Sequence, residues 1–258
     1  MGGLAVVTGA SGGIGREIAK LLARDGYDLV LAARSAETLA GFSRELTEGY
    51  GIRVIPFTAD LTHDEERRRL FEETPGDIDI LINNAGFGDY GRFSECEWEK
   101  QERMIELNDL ALTHITHLYL PGMISKGKGR ILNVASIAAF EPGPLMSVYY
   151  ASKAYVLSFS EALSVELKDS GITVTALCPG PVNTGFAKAA NAERVKVFRE
   201  SAGADASKVA EFGYRKMMKG RAVAVHGLTF KAASVVIKIL PRPVVRKLVY
   251  LIQRSRTR

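Results

Sequence analysis

The sequence predicts a doubly wound parallel α/β sheet in one domain, and three observations predict it. Short apolar runs alternate with longer amphipathic segments. The runs are apolar throughout rather than every second residue, as strands covered on both faces are. A glycine-rich turn joins the first run to the first helix. In order, the pattern predicts a strand at Leu4–Val7, a helix at Gly13–Asp25 and a strand at Asp28–Ala33. A period-3.6 helix over Ala36–Tyr50 leads to a strand at Ile52–Thr58, a helix at Asp64–Glu73 and a strand at Ile78–Ile82. One long helix is expected over Glu97–Ile124, then a strand at Arg130–Val134, a helix over Val148–Lys168 and a strand at Thr173–Leu177. Repeated βα units with right-handed crossovers give the doubly wound fold.

Past Leu177 the pattern predicts a helix at Ser207–Met218 and a last strand at Arg221–Val225. Two basic amphipathic segments follow, Phe230–Leu240 and Val244–Gln253, split by Pro241-Arg242-Pro243. No repeat or linker divides the chain. It is read as one domain over residues 1–228, with residues 229–258 as a short basic helical extension.

The 258 residues, 47% hydrophobic and 24% charged, suffice for a full core without disulfides or metals. The formal charge of +5 sums two unlike parts: residues 1–214 carry 22 basic and 29 acidic residues, whereas Arg215–Arg258 holds 12 basic residues and no acidic one. A basic footprint over the whole fold, as nucleic-acid binding demands, is therefore not expected. Cys96 and Cys178 are too few for a disulfide framework or a thiolate zinc site. The first apolar run starts too close to Met1 for a signal peptide, and no apolar run reaches the roughly 18 residues of a membrane span, so a cytoplasmic location is expected.

Function starts at Thr8-Gly9-Ala10-Ser11-Gly12-Gly13-Ile14-Gly15. Glycines at a strand-to-helix turn let the backbone approach a pyrophosphate, and the helix N-terminus offers free N–H groups with positive dipole potential. Asn83-Asn84-Ala85-Gly86 follows the fourth strand, Asn108 lies in the long helix, Ser136 ends the fifth strand, Tyr149-Tyr150-Ala151-Ser152-Lys153 opens the next helix, and Pro179-Gly180 follows the sixth strand. In kind and order these resemble the signatures of the short-chain dehydrogenase/reductase family in its compact form, over residues 4 to about 184. The basic end resembles that of DltE-type oxidoreductases and long-chain ketoacyl reductases. The resemblance implies a Rossmann-type fold and a cofactor site at Gly9, Ser11, Gly13, Ile14, Gly15, Asp60, Leu61, Asn84, Ala85, Gly86, Tyr149, Lys153, Pro179, Gly180, Val182 and Thr184. Capping ahead of Asp64 would equally explain Asp60.

Cofactor choice is read at the end of the second strand, where NAD-selective folds place an acid for the ribose 2′-hydroxyl. Here stand Arg34 and Ser35. A guanidinium fork pairs a 2′-phosphate and a serine hydroxyl can add a donor, so NADP(H) is expected. Gly12 departs from the many NADP-preferring relatives that carry a second basic residue there.

Tyr149 and Lys153, spaced i, i+4, project from one helix face. A free phenol near pKa 10 is a poor acid at neutral pH unless a cation stabilises its anion. Spacing alone leaves Tyr150 open; the family pattern selects Tyr149. By resemblance Tyr149 donates the proton to a carbonyl oxygen, Lys153 also holds the nicotinamide ribose, Ser136 hydrogen-bonds the substrate oxygen and Asn108 supports a water relay. The alternative class, a dinucleotide-binding regulator or scaffold, needs no such set.

His114 and His117 have metal-like spacing but no nearby cysteine, and a polar helix stripe explains them. No metal is expected. Arg67-Arg68-Arg69 follows Asp64-Glu65-Glu66, as helical ion pairs do. Phe87, Tyr90, Phe140, Leu145, Met146, Phe186 and Phe198 suggest a hydrophobic carbonyl or alcohol, with core packing an equal alternative. The basic tail admits an oligomer contact, sheet cover or peripheral membrane contact. Family habit suggests a homodimer or homotetramer.

Overall fold

The computed structural model describes residues 2–192 and 203–254. Seven parallel strands form one sheet in the order β3-β2-β1-β4-β5-β6-β9. The strands are β1 (Leu4–Thr8), β2 (Asp28–Ala33), β3 (Val54–Thr58), β4 (Ile80–Asn83), β5 (Gly129–Val134), β6 (Ile172–Cys178) and β9 (Val223–Val225). Two-residue strands β7 (Val182–Asn183) and β8 (Ala204–Asp205) pair separately. The order reverses between β1 and β4, where doubly wound sheets open a crevice at their carboxyl ends.

Side chains alternate across the sheet. Ala5 and Val7 of β1, Leu29 and Leu31 of β2, and Ile80 and Ile82 of β4 enter one core. The intervening Val6, Val30 and Leu81 enter the other. Helices α1 (Gly13–Arg24), α2 (Ala36–Tyr50) and α8 (Ala206–Met218) supply Ile18, Leu22, Leu39, Phe42, Val209 and Met217 to the first core. Helices α3 (Asp64–Glu73), α5 (Leu112–Lys126) and α6 (Ser147–Glu166) flank the second, through Leu70, Ile115 and partly buried Leu163. Both faces are therefore dry, which is why the strands carry no polar alternation.

Between the layers runs a buried polar chain. Asn83 Nδ2 donates to Thr116 Oγ1 and to Asn133 Oδ1, each at 2.9 Å. Asn133 Nδ2 donates to Ser160 Oγ at 2.9 Å, and Ser160 Oγ donates to Val156 O at 2.6 Å. These bonds tie the ends of β4 and β5 to α5 and α6, the elements bordering the crevice.

The predicted helix Glu97–Ile124 is a continuous helical path with a defect. Helix α4 (Trp98–Ile105) passes into a π-helical turn, Glu106–Ala111, before α5. One extra residue per turn there swings Asn108 inward, and π-turns are frequent at functional sites. The predicted strand at Ile52–Thr58 begins at Val54, and that at Ile78–Ile82 is displaced to Ile80–Asn83. Past Phe186–Ala189 (α7) and α8, the two basic segments form α9 (Leu228–Ile239) and α10 (Arg242–Arg254). Among the described residues no helix is long and apolar enough to cross a membrane.

Candidate active site

The turn after β1 and the loop after β4 are clasped by one threonine. Thr8 Oγ1 donates to Ile82 O at 3.2 Å and accepts from the backbone N–H of Asn84 and Ala85 at 3.0 and 3.1 Å. Asn84 Nδ2 returns two bonds, to Thr8 O and Gly9 O, both at 3.0 Å. The clasp leaves no room for side chains. A Cβ on Gly9 would sit 2.7 Å from Asn84 Nδ2, and Gly9 has φ +66°. Gly15 lies beneath the turn rather than on the cleft wall, where a Cβ would meet the same Asn84 amide at 2.4 Å.

A cleft of about 400 Å³ opens over these loops. Gly9, Ser11, Gly13, Ile14, Arg34, Asp60, Leu61, Asn84, Ala85, Gly86, Ser136, Tyr149, Lys153, Pro179, Gly180, Val182 and Thr184 line it. Helix α1 starts at N-cap Gly12 with no side chain capping it and no acid in its first turn. Its N-terminal N–H groups therefore remain available at the cleft. A glycine cradle, free helix amides and Arg34 on the wall suit a dinucleotide carrying phosphates.

Ser35 does not line the cleft. It is the N-cap of α2, its Oγ accepting from the Thr38 N–H at 3.4 Å. Asp60 does not cap α3: the N-cap is His63, and the bonds of Asp60 go to Thr62 and Arg103 rather than to the helix N–H groups. It faces the cleft, and its Oδ1 accepts from Thr62 N and Oγ1 at 3.2 and 2.8 Å, while Arg103 binds Oδ2 at 2.7 Å. Burial pushes its pKa up, but the Thr62 bonds and the charges of Arg103 and Arg34 outweigh this and hold it below the usual carboxylate range.

At the other end of the cleft α6 presents Tyr149 and Lys153 together, both buried. Lys153 Nζ donates to Val134 O at 2.9 Å and lies 5.8 Å from the Tyr149 ring centroid. Burial lowers the lysine to about 8, opposed by the negative fields of Asp109 and Cys178. Burial raises the Tyr149 phenol to about 12, while a hydrogen bond with Ser136 pulls the other way. Ser136 Oγ also accepts from Ala138 N at 3.1 Å.

Asn108 sits behind this pair rather than on the wall. Its Oδ1 accepts from Phe87 N at 3.1 Å, and its Nδ2 donates to Phe87 O at 2.9 Å and Ser152 Oγ at 3.0 Å. Ser152 in turn donates to Tyr149 O at 2.8 Å. The π-turn is thereby stitched to the Gly86–Phe87 backbone and to α6.

Sequence reasoning missed Ser152, Asp109 and Gly88. Asp109 is pushed up to about 6, mainly by burial and against the pull of Lys153. Its Oδ1 is buried with no hydrogen-bond partner among the described groups. An acid between Leu107 and Leu112 in an apolar stretch was the available signal. Gly88 is a close approach: a Cβ there would be 2.8 Å from Phe186 and 3.2 Å from Tyr149.

The apolar candidates divide. Phe87 and Phe186 line the cleft, and Tyr90 and Met146 pack around Tyr149. Phe140 packs in a neighbouring core, Leu145 is held at φ +70°, and Phe198 lies outside the described residues. Tyr150 lines the cleft edge-on to Tyr149, and its hydroxyl accepts a 2.6 Å bond from Gln253 Nε2. His114 Nδ1 accepts from Arg67 Nε at 3.1 Å, and no metal-binding group of residues occurs among those described. Arg68 and Arg69 pair with Asp64 and Glu66 at 2.7 and 2.6 Å.

A model of the short chain dehydrogenase family matches residues 3–195, and the chain belongs to that family. The 17-beta-hydroxysteroid dehydrogenase type 3 of Rattus norvegicus is 38% identical over 199 residues, which are 76% of this chain and 65% of that enzyme, under two thirds of its length. A short-chain dehydrogenase from Sphingobium yanoikuyae in complex with NADPH aligns with TM-score 0.83 at 32% identity over 91% of each chain. A short chain dehydrogenase/reductase from Burkholderia phymatum in complex with NAD aligns with TM-score 0.82 at 27% identity, over 91% of this chain and 92% of that one. The protein is an oxidoreductase whose fold binds a nicotinamide dinucleotide.

Gly9→Ala sets a methyl into the clasp at a left-handed backbone position. It is expected to cost about 1–3 kcal/mol in urea unfolding and to weaken dinucleotide binding about tenfold or more. Gly49→Ala, on α2 where a Cβ meets nothing within 4 Å, serves as the neutral control.

Proposed function

We propose that this protein is an NADP(H)-dependent reductase that interconverts a hydrophobic carbonyl compound and its alcohol. The observation that carries the reading is the burial of Tyr149 and Lys153 on one face of α6 within the cleft that the glycine turn also lines. Gly9, Ser11, Gly13, Ile14, Asn84, Ala85, Gly86, Pro179, Gly180, Val182 and Thr184 hold the dinucleotide. When bound, its reduced nicotinamide supplies a hydride to the carbonyl carbon.

Tyr149 supplies the proton. A phenol at about 12 is fully protonated at neutral pH, so it stands ready as the acid in the reduction direction. Lys153, charged below about 8, stabilises the phenolate left behind. Ser136, bonded to Tyr149, fixes the hydroxyl and holds the substrate oxygen. Asn108 is a positioning residue: it braces the Gly86–Phe87 backbone against α6 and supports proton resupply from the Lys153 side. Phe87, Phe186 and Tyr150 offer the substrate an apolar wall.

NADP(H) is preferred because Arg34 is the charged side chain on the cleft wall at the end of β2. Asp60 shares that end of the wall but is engaged by Thr62 and Arg103. A homo-oligomer would form through α4, the π-turn and α6, which expose Trp98, Ile105, Leu110 and Tyr155.

Screening NADPH oxidation against aldehydes, ketosteroids and ketoacyl thioesters tests the reading. Reduction of at least one class is expected, with kcat/KM falling as pH rises through about 8, where Lys153 loses its charge. No turnover on any class, or a rate unchanged up to pH 10, contradicts it. Arg34→Asp is expected to lower kcat/KM for NADPH by about 10–100-fold, a loss of about 1.4–2.8 kcal/mol, and to leave NADH unharmed.

A further inference from the structure

The two C-terminal helices carry the largest group of exposed apolar side chains in the described chain, and it is ordered. On α9, Leu228, Ala232, Val235, Val236 and Ile239 recur at i, i+4, i+7, i+8 and i+11, all exposed. Leu228 and Ile239 are 87% and 80% exposed. On α10, Val244, Leu248, Leu251 and Ile252 repeat the spacing i, i+4, i+7, i+8, each about half exposed. Each stripe is edged by cations in the same register, Lys231 and Lys238 on α9 and Lys247 and Arg254 on α10, all exposed.

The opposite faces are committed to the body. Phe230 packs onto Gly180, and Ser234 of α9 is buried. Val245, Val249 and Gln253 of α10 are buried at i, i+4, i+8. Gln253 Nε2 binds the Tyr150 hydroxyl at 2.6 Å, and Tyr90 donates to Gln253 O at 3.0 Å. Tyr90 and Tyr150 pack around Tyr149 and Met146, and Tyr150 lines the cleft, so α10 is anchored beside the Tyr149 end of the cleft.

We propose that the outer face of α9 and α10 docks on an anionic lipid surface, lying in the interface and holding the Tyr149 end of the cleft near the bilayer. The charge selects this occupant. From Arg215 to Arg258 there are 12 basic residues and no acidic one, so a second copy set face to face would oppose cation to cation. An apolar stripe beside a row of lysine and arginine suits acyl chains below and anionic headgroups above. Neither helix is long and apolar enough to span instead. The docking segment runs over α9 and α10. It does not depend on the redox reading.

Full-length protein is sedimented with vesicles of phosphatidylcholine alone and of phosphatidylcholine with phosphatidylglycerol. Binding about tenfold or more stronger on the anionic vesicles, weakened by salt, is expected. The double variants Leu248→Glu/Leu251→Glu and Leu228→Glu/Ile239→Glu are expected to lose that binding about tenfold or more while keeping the parent melting temperature, because all four side chains face solvent. No binding to anionic vesicles, equal binding to both vesicle types, or undiminished binding by both variants overturns the proposal. So does a halved mass of either variant in light scattering, which makes the face a contact between copies. Retention on polyglutamate with indifference to vesicles overturns it as well, in favour of an acidic protein.

Discussion

The site depends on burying an ammonium. Lys153 lies at the end of β5 with Val134 O at 2.9 Å, in surroundings that lower it to about 8. A buried lysine is costly unless neighbours compensate, and here the compensation comes from several elements at once. Asp109 of the π-turn opposes the shift with its charge, and Val134 O of β5 accepts a hydrogen bond from the ammonium. The same burial raises Tyr149, so two groups of opposite charge type are shifted toward their neutral forms by one dry pocket. A small charge change is then worth more there than it is in water. The proposed proton transfer uses that property: the phenol stays protonated until a developing alkoxide can take its proton.

Keeping that pocket dry and rigid constrains the surrounding backbone. The Thr8–Asn84 clasp fixes the β1 turn to the β4 loop, and Asn108 ties the next stretch of that loop to α6 through Ser152. The buried Asn83–Asn133–Ser160 chain does the same one layer deeper. Each of these side chains bonds backbone or another buried group, so β4, β5 and α6 cannot shift separately. The cofactor end and the proton-transfer end of the cleft are thus parts of one scaffold.

Much of this was legible because it rests on local rules. Apolar runs gave the strands, the glycine turn marked the start of α1, and an i, i+4 Tyr–Lys pair needs only a helix to come together. What was not legible depends on partners far along the chain. The π-turn at Glu106–Ala111 is set by the inward bonding of Asn108, with no break in the sequence pattern. Ser152 reads as an ordinary helix residue until Asn108 lies beside it. In sequence Ser35 reads as a hydroxyl donor to a phosphate, and its bond to the Thr38 N–H places it at the cap of α2 instead. Gln253 lies about a hundred residues from Tyr150, and a tail of mixed cations and aliphatics gives no hint that one face bonds a residue of the cleft wall.

The charge division of the chain acquires a spatial meaning from the same contacts. The acidic part, residues 1–214, carries six of the seven strands of the sheet and the Tyr149–Lys153 pair, whereas the basic part adds β9 and the two helices of which α10 bonds Tyr150. The central claim, that a buried phenol is the proton donor, is tested most directly by Tyr149→Phe, which deletes the hydroxyl and little else. Turnover of whichever carbonyl the parent reduces should fall by about 10²–10⁴-fold, with NADPH affinity within about threefold of the parent. Near-parent turnover in Tyr149→Phe, with NADPH bound normally, would contradict it.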